Sequence, residues 1–180
     1  MITVISGTNR RNSGALEFAR HYANVIASKT TEEVKLLELE NIPHDWFHPN
    51  MYEASQQTPS LTKLQDEFML AAQKFIYIVP EYNGGYPGVL KLFLDACSIR
   101  EYKKTFFGKK AALVGIASGR AGNLRGLDHL TGILNHVGTV VMPNRLPISS
   151  IEKVMDDNGV IHDPATLGVI ERQIDNFLSF

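Results

Sequence analysis

Five short runs of apolar, largely β-branched residues recur along the chain, and a segment with helical periodicity follows each one. The runs are Ile2–Ser6, Val34–Leu39, Phe75–Pro80, Ala111–Ala117 and Val137–Met142. Most are almost continuously apolar, the pattern of strands covered by helices on both faces of a parallel sheet. Val34–Leu39 alternates more and suits a strand nearer the edge. The helical stripes are Leu16/Ala19/Ala23/Ile26, Leu61/Leu64/Phe68/Ala71, Val89/Leu90/Phe93/Leu94/Cys97, Leu124/Leu127/Leu130/Leu134/Val137 and Leu167/Ile170/Ile174/Phe177. Ser13 is placed to cap the first stripe, Pro87 to occupy the first turn of the third, and Asp163-Pro164 to start the last.

Strand–helix alternation with right-handed crossovers predicts an α/β fold: a doubly wound, five-stranded parallel sheet in the order 2-1-3-4-5 between two helical layers. The 180 residues read as a single domain spanning 1–180, long enough to bury roughly 70% of the unfolded surface. The stretches Asn41–Pro59 and Pro143–His162 lack periodicity, and their aromatics and prolines predict ordered loops.

Composition excludes several functions. A net charge of −1 gives no basic field for nucleic acid or for an anionic membrane surface. No segment is apolar enough to span a bilayer, and nothing resembles a secretory leader. The single cysteine, Cys97, cannot form an internal disulfide, so a reducing, cytoplasmic setting is expected. Cys97 sits on an apolar helical stripe and reads as core rather than as a nucleophile. The histidines show no metal-ligand spacing, so no metal site is expected.

In an open α/β sheet, ligands bind beyond the carboxyl ends of the strands, where the strand order reverses. Here that point lies between the first and third strands. The loop after the first strand reads Ser6-Gly7-Thr8-Asn9-Arg10-Arg11-Asn12-Ser13. Its hydroxyls, its guanidinium groups and the N–H groups opening the next helix are what a phosphate dianion needs. Neither a Gly-x-Gly-x-x-Gly turn nor a P-loop is present. The loop after the third strand, Pro80-Glu81-Tyr82-Asn83-Gly84-Gly85-Tyr86-Pro87-Gly88, frames two glycines with prolines. It lets backbone approach a flat ligand. The loop after the fourth strand, Ser118-Gly119-Arg120-Ala121-Gly122-Asn123-Leu124-Arg125, is again built of small residues with two arginines.

Together these loops resemble those of the NAD(P)H-dependent FMN reductase family of flavodoxin-like proteins. The first matches Gly-Ser/Thr-x-Arg-x-x-Ser through Gly7, Thr8, Arg10 and Ser13. The second matches Pro-Glu-Tyr-Asn through Pro80–Asn83 and then Pro-Gly-x-Leu-Lys through Pro87, Gly88, Leu90 and Lys91, with Asp95 further on. The chain departs from the pattern at Gly85, where serine is frequent, and at Asn123, where glycine is usual. A third departure is Ala96-Cys97, where an aromatic residue commonly follows the aspartate.

The resemblance implies a flavodoxin-like α/β/α sandwich that binds FMN. The FMN phosphate would sit on Ser6, Thr8, Arg10, Asn12 and Ser13. The ring would lie against Pro80, Glu81, Tyr82, Asn83, Gly84 and Gly85 and against Ser118, Gly119 and Gly122. It further implies NADPH or NADH as hydride donor, a small acceptor (free flavin, quinone, azo compound or metal oxyanion), and a homodimer or tetramer. No side chain is required as a catalytic acid or base. The alternatives are a flavodoxin-type electron carrier and a flavin-binding regulatory protein.

Overall fold

The computed structural model covers residues 1–180. The elements run β1 (Ile2–Ser6), α1 (Gly14–Lys29), β2 (Val34–Glu38), α2 (Pro59–Leu64), β3 (Lys74–Pro80), α3 (Gly88–Cys97), α4 (Tyr102–Phe106), β4 (Lys110–Ile116), α5 (Leu124–His136), β5 (Val140–Val141), β6 (Leu146–Ile148) and α6 (Pro164–Ser179). The sheet order is β2-β1-β3-β4-β5 and every pairing is parallel, as the strand–helix alternation predicts. β1, β3 and β4 are buried along nearly their whole length, whereas β2 is mostly half-buried at its edge.

Two cores flank the sheet. On one face α1 and α6 pack through Phe18, Tyr22, Ile26, Ile170, Ile174 and Phe177 onto Ile2, Val4, Ile76 and Val114. On the other, α2, α3 and α5 pack through Leu61, Leu90, Phe93, Leu127 and Leu130 onto Ile5, Phe75, Tyr77 and Leu113. Alternate residues of each central strand therefore serve opposite cores, which is why the runs are continuous rather than alternating.

The structure departs from the sequence reading in four places. The fifth strand, expected over Val137–Met142, is split. β5 pairs with the start of β4, and β6 pairs with its end through Val114↔Leu146 and Ile116↔Ile148. Pro143, which has no N–H, lies in the gap between the two pieces. Pro143–His162 is thus partly strand and lies against the sheet. Pro87 is the residue before α3 rather than the first inside it. The stripe behind Pro59 changes after Leu64 into a π-helical turn over Gln65–Leu70. Finally, α4 has too few residues for a periodic pattern to announce it.

The caps behave as predicted elsewhere. Ser13 Oγ accepts from Ala15 N, and Asp163 accepts from Thr166 N, satisfying orphan donors of α1 and α6. The Asn41–Pro59 loop is ordered by Trp46, which is buried edge-on against Phe93 at 6.2 Å and donates to Pro43 O.

Candidate active site

The carboxyl ends of β1, β3 and β4 deliver the three loops to one side of the sheet. The first loop leaves β1 with Gly7 N donating to Ile78 O at 2.9 Å, which holds it against β3. A Cβ at Gly7 would stand 3.1 Å from both Ile78 O and Leu90 Cδ2, so glycine fits this close approach best. Thr8 is buried, and its hydroxyl accepts from Arg10 N at 3.1 Å. Arg10, Arg11 and Asn12 are exposed, and Asn12 holds a left-handed φ of 54°. The chain then enters α1 beneath Ser13. Ser6 is buried at the end of β1, beside these donors.

The second loop folds into a two-residue hairpin. Tyr82 N donates to Gly85 O and Gly85 N donates back to Tyr82 O, at 2.9 and 3.1 Å. The central pair, Asn83 and Gly84, has φ of 53° and 77°. Positive φ at both central positions is the requirement of a type I′ turn, for which Asn-Gly is the favoured pair. The tightness of this loop therefore comes from the turn itself. Gly85 does not need positive φ, so a side chain there is not barred by backbone strain.

Tyr82 ties the two loops together, its hydroxyl lying 2.8 Å from Thr8 Oγ1. Glu81 N donates to Ile116 O at 2.8 Å, extending the β3–β4 ladder by one residue.

The third loop contains the residue whose role the sequence reading missed. Asn123 is buried with a φ of 61°. Its side-chain amide donates to Val79 O and Pro80 O at 3.0 and 3.1 Å, and its backbone N–H donates to Glu81 Oε2 at 3.0 Å. Asn123 thus locks the third loop to the second. Its place at a usual glycine position was the available signal, because asparagine is among the few residues that accept left-handed backbone. Glu81 is fixed by this contact, which makes it a brace between loops and not a free base. Gly122 (φ 55°) packs so closely that a Cβ would lie 2.8 Å from Pro147. Ser118 and Gly119 remain exposed.

Between the loops lies a cleft of about 360 Å³. Arg10, Asn12 and Ser13 line it from the first loop, Pro80, Glu81 and Tyr82 from the second, and Ser118 from the third. Ser6 and Thr8, both buried, Asn83, Gly84 and Gly85 of the hairpin, and Gly119 and Gly122 of the third loop lie outside its lining. Ile151 and Glu152 close a further side. They were invisible in the sequence because Pro143–His162 folds back only through long-range contacts such as Ile151 N to Ala117 O, 3.3 Å.

This donor set matches FMN. Hydroxyls, an arginine without a carboxylate partner and the start of a sixteen-residue helix suit a phosphate monoester at one end. Pro80 and Tyr82 and the small residues Ala117 and Ser118, which line the cleft from the second and third loops, suit a flat ring. No group of histidine, cysteine, aspartate and glutamate side chains is arranged to hold a metal ion. No helix is long and apolar enough to cross a membrane. Cys97 is fully buried, and burial pushes its thiol far above the usual range, consistent with a core role.

Known proteins share both the sequence and the architecture. Residues 1–153 match the family described as NADPH-dependent FMN reductase. An NAD(P)H-dependent FMN reductase of Pseudomonas aeruginosa is 31% identical over 78% of this chain and 74% of its own. A 2-hydroxy-1,4-benzoquinone reductase of a Burkholderia species is 25% identical over 99% of this chain and 94% of its own. Among solved structures, the flavoenzyme NAD(P)H:(acceptor) oxidoreductase FerB of Paracoccus denitrificans superposes with a TM-score of 0.79 at 24% identity, covering 99% of this chain and 94% of that one. Flavodoxin 1 of Bacillus cereus superposes at 0.61 with 16% identity, covering 99% and 96%. With its sheet order and these matches, the chain belongs to the NADPH-dependent FMN reductase family of flavodoxin-like, FMN-using oxidoreductases.

Proposed function

We infer that the protein holds FMN in this crevice and catalyses reduction of a small acceptor by NADPH or NADH. For a quinone acceptor the balance is NAD(P)H + H⁺ + quinone → NAD(P)⁺ + hydroquinone. The observation carrying this reading is the Thr8–Tyr82 contact, which joins a phosphate-type donor cup to a flat-ligand hairpin at the strand-order reversal. Bound FMN supplies the hydride-accepting and hydride-donating ring.

The chain's own residues bind and orient. Ser6, Thr8, Arg10, Asn12 and Ser13 take the phosphate, with the α1 dipole adding to the guanidinium charge. Pro80, Glu81, Tyr82, Asn83, Gly84 and Gly85 border one edge of the ring, and Ser118, Gly119 and Gly122 the other. Asn123 and Glu81 keep those two loops in register, so that the ring space is formed before the ligand arrives. No side chain acts as a proton donor to the ring. The acceptor is a free flavin, quinone, azo compound or metal oxyanion.

The protein works as a homodimer or tetramer, in a cytoplasmic setting that its buried, unpaired Cys97 suits. Four aromatics, Tyr86, Phe93, Phe106 and Phe107, lie near α3 and α4. Phe93 and Phe106 are core, whereas Phe107 is 70% exposed and Tyr86 is half-buried against His129 at 5.1 Å. A groove of about 450 Å³ between α3 and α5, lined by Lys91, Asp95, His129 and Ile133, supports an interface there.

An absorption spectrum of the purified protein tests the central assignment. Flavin bands released as FMN on denaturation, together with steady-state NADPH oxidation by a quinone, are the expected result. A colourless protein that takes up no FMN overturns the reading, and a coloured protein without turnover favours the electron carrier.

A further inference from the structure

Beside the first loop stands a carboxylate that no cation of the chain meets. Glu40 lies just past β2, where Leu39 N donates to Ser6 O at 3.3 Å and carries the β1–β2 ladder one residue beyond the strands. Asn41 N then donates back to Glu38 O at 3.0 Å, closing a tight turn with Leu39 and Glu40 at its centre. Leu39 is fully buried, so the turn is pinned to the core. The neighbouring acid, Glu38, is taken up by Arg20 and by the Asn41 side chain. Glu40 forms no ion pair, although Arg10 and Arg11 stand on the loop it touches.

The two oxygens of Glu40 are held differently. Oε1 accepts from Asn12 N at 3.4 Å, joining the turn after β2 to the first loop across 28 residues of sequence. Oε2 is shut off from solvent and has no donor. A carboxylate oxygen buried without a donor is costly, so the surrounding fold holds it there against its own preference. The residue on the other side of the contact is constrained as well. Asn12 has a φ of 54°, a left-handed backbone that needs support even from asparagine. It lines the cleft between Arg10 and Ser13. Glu40 therefore holds a backbone N–H of the loop and leaves the Arg10 guanidinium without a carboxylate.

We propose that Glu40 is a positioning residue for the cofactor phosphate: by accepting the Asn12 N–H it fixes the left-handed turn that sets Arg10 and Ser13 around the phosphate, without touching the phosphate itself. The proposal rests on the crevice being the FMN site. The first loop is then tied on both sides, to β3 through Thr8 and Tyr82 and to the end of β2 through Glu40, so its shape is set before the ligand arrives. The hydrogen-bond acceptor matters and the charge does not, because a negative charge beside a phosphate dianion is unfavourable. Without the contact the Asn12 backbone is freer, and phosphate binding must bear the cost of ordering it. Riboflavin has no phosphate and is indifferent to that end of the loop.

The test titrates the flavin-stripped, full-length protein with FMN and with riboflavin, read by quenching of flavin fluorescence, so it does not depend on turnover. Glu40→Ala should weaken FMN binding about three- to ten-fold, the scale of one hydrogen bond, and riboflavin binding by less than about two-fold. Glu40→Gln keeps an acceptor and removes the charge, and it should bind FMN at least as tightly as wild type. A merely structural role would lower the affinity for both flavins together and leave their ratio unchanged. Equal losses for the two flavins, an unchanged FMN affinity in Glu40→Ala, or a Glu40→Gln protein as weak as Glu40→Ala each overturn the proposal. Failure of the wild-type protein to bind FMN at all overturns instead the functional reading beneath it.

Discussion

The two ends of the sheet hold their cations in opposite ways. At the amino ends of the strands, Lys74 donates to Phe177 O and Leu178 O, and Lys110 donates to Phe180 O, all at the carboxyl end of α6. Lys109 is buried beside them and donates to Met69 O and Leu70 O at the end of the π-helical turn. Each ammonium also rests over an aromatic ring: Phe177, Phe180 and Phe75 respectively. These are cations at the negative ends of helices, satisfied within the chain. At the carboxyl ends of the strands, Arg10 and Arg125 stand near the positive ends of α1 and α5 without a carboxylate. The lower end is complete as folded. The upper end leaves those two guanidinium groups unpaired, although the Glu81 carboxylate meets the start of α5 through Asn123 N, and its backbone is held by Asn123 and the hairpin.

The rigidity of the upper end is the first half of that contrast to break. A Cβ on Gly115, in β4, would stand 2.0 Å from Gly122 O, a backbone atom that cannot yield without moving the third loop. Gly115→Ala should destabilise the fold by about 3 kcal/mol or more, at the upper end of overpacking penalties. Urea unfolding measures it, and a loss under about 1 kcal/mol would show the loop to be compliant.

At the lower end, burial pushes Lys109 down to about 8, although helix-end carbonyls and Phe75 help to keep its charge. Its unfolded value lies near 10.4, so between about pH 8 and 10.4 the unfolded chain binds more protons and this lysine's contribution rises with pH. The rise should reach up to about 3 kcal/mol, opposing general alkaline destabilisation. Lys109→Met should remove it, and identical pH profiles for wild type and variant would contradict the assignment.

Arg10 tests the unpaired cations of the upper end. Arg10→Ala should weaken FMN binding by about 1.5–3 kcal/mol while leaving riboflavin affinity nearly unchanged. Equal losses for the two flavins would remove Arg10 from the phosphate site. Gly84→Val sharpens the same contrast at the hairpin. Its φ of 77° strains any β-branched residue, at a cost of about 1–3 kcal/mol. Strain in this half-buried hairpin, outside both cores, should appear chiefly as lost FMN affinity, with a smaller fall in the melting temperature of the apoprotein. Normal FMN affinity in a folded Gly84→Val protein would place the ring elsewhere.

Much of this was legible in the residues. The runs Phe75–Pro80 and Ala111–Ala117 could hardly be anything but central strands, and Ser13 and Asp163 announced their helices through local hydrogen bonding. The Asn83-Gly84 turn is equally local, though the reading of the loop rested on its two glycines and not on Asn83. The split of the last strand at Pro143, the return of Ile151 and Glu152 to the cleft and the clamp made by Asn123 were not legible. Each depends on partners distant in the chain, and no pattern within a dozen residues encodes them.

The sequence by itself determined the strand–helix alternation, the sheet order that follows from right-handed crossovers, and the three loops that meet at the reversal, because periodicity, capping and chain handedness act locally. Only the tertiary structure decided which charges are left unpaired. Whether Asp128 serves Arg125 on its own helix or Arg145 from another segment is a competition in space, settled when β6 docks on β4 and brings Arg145 alongside α5. That docking leaves Arg125 free beside the crevice.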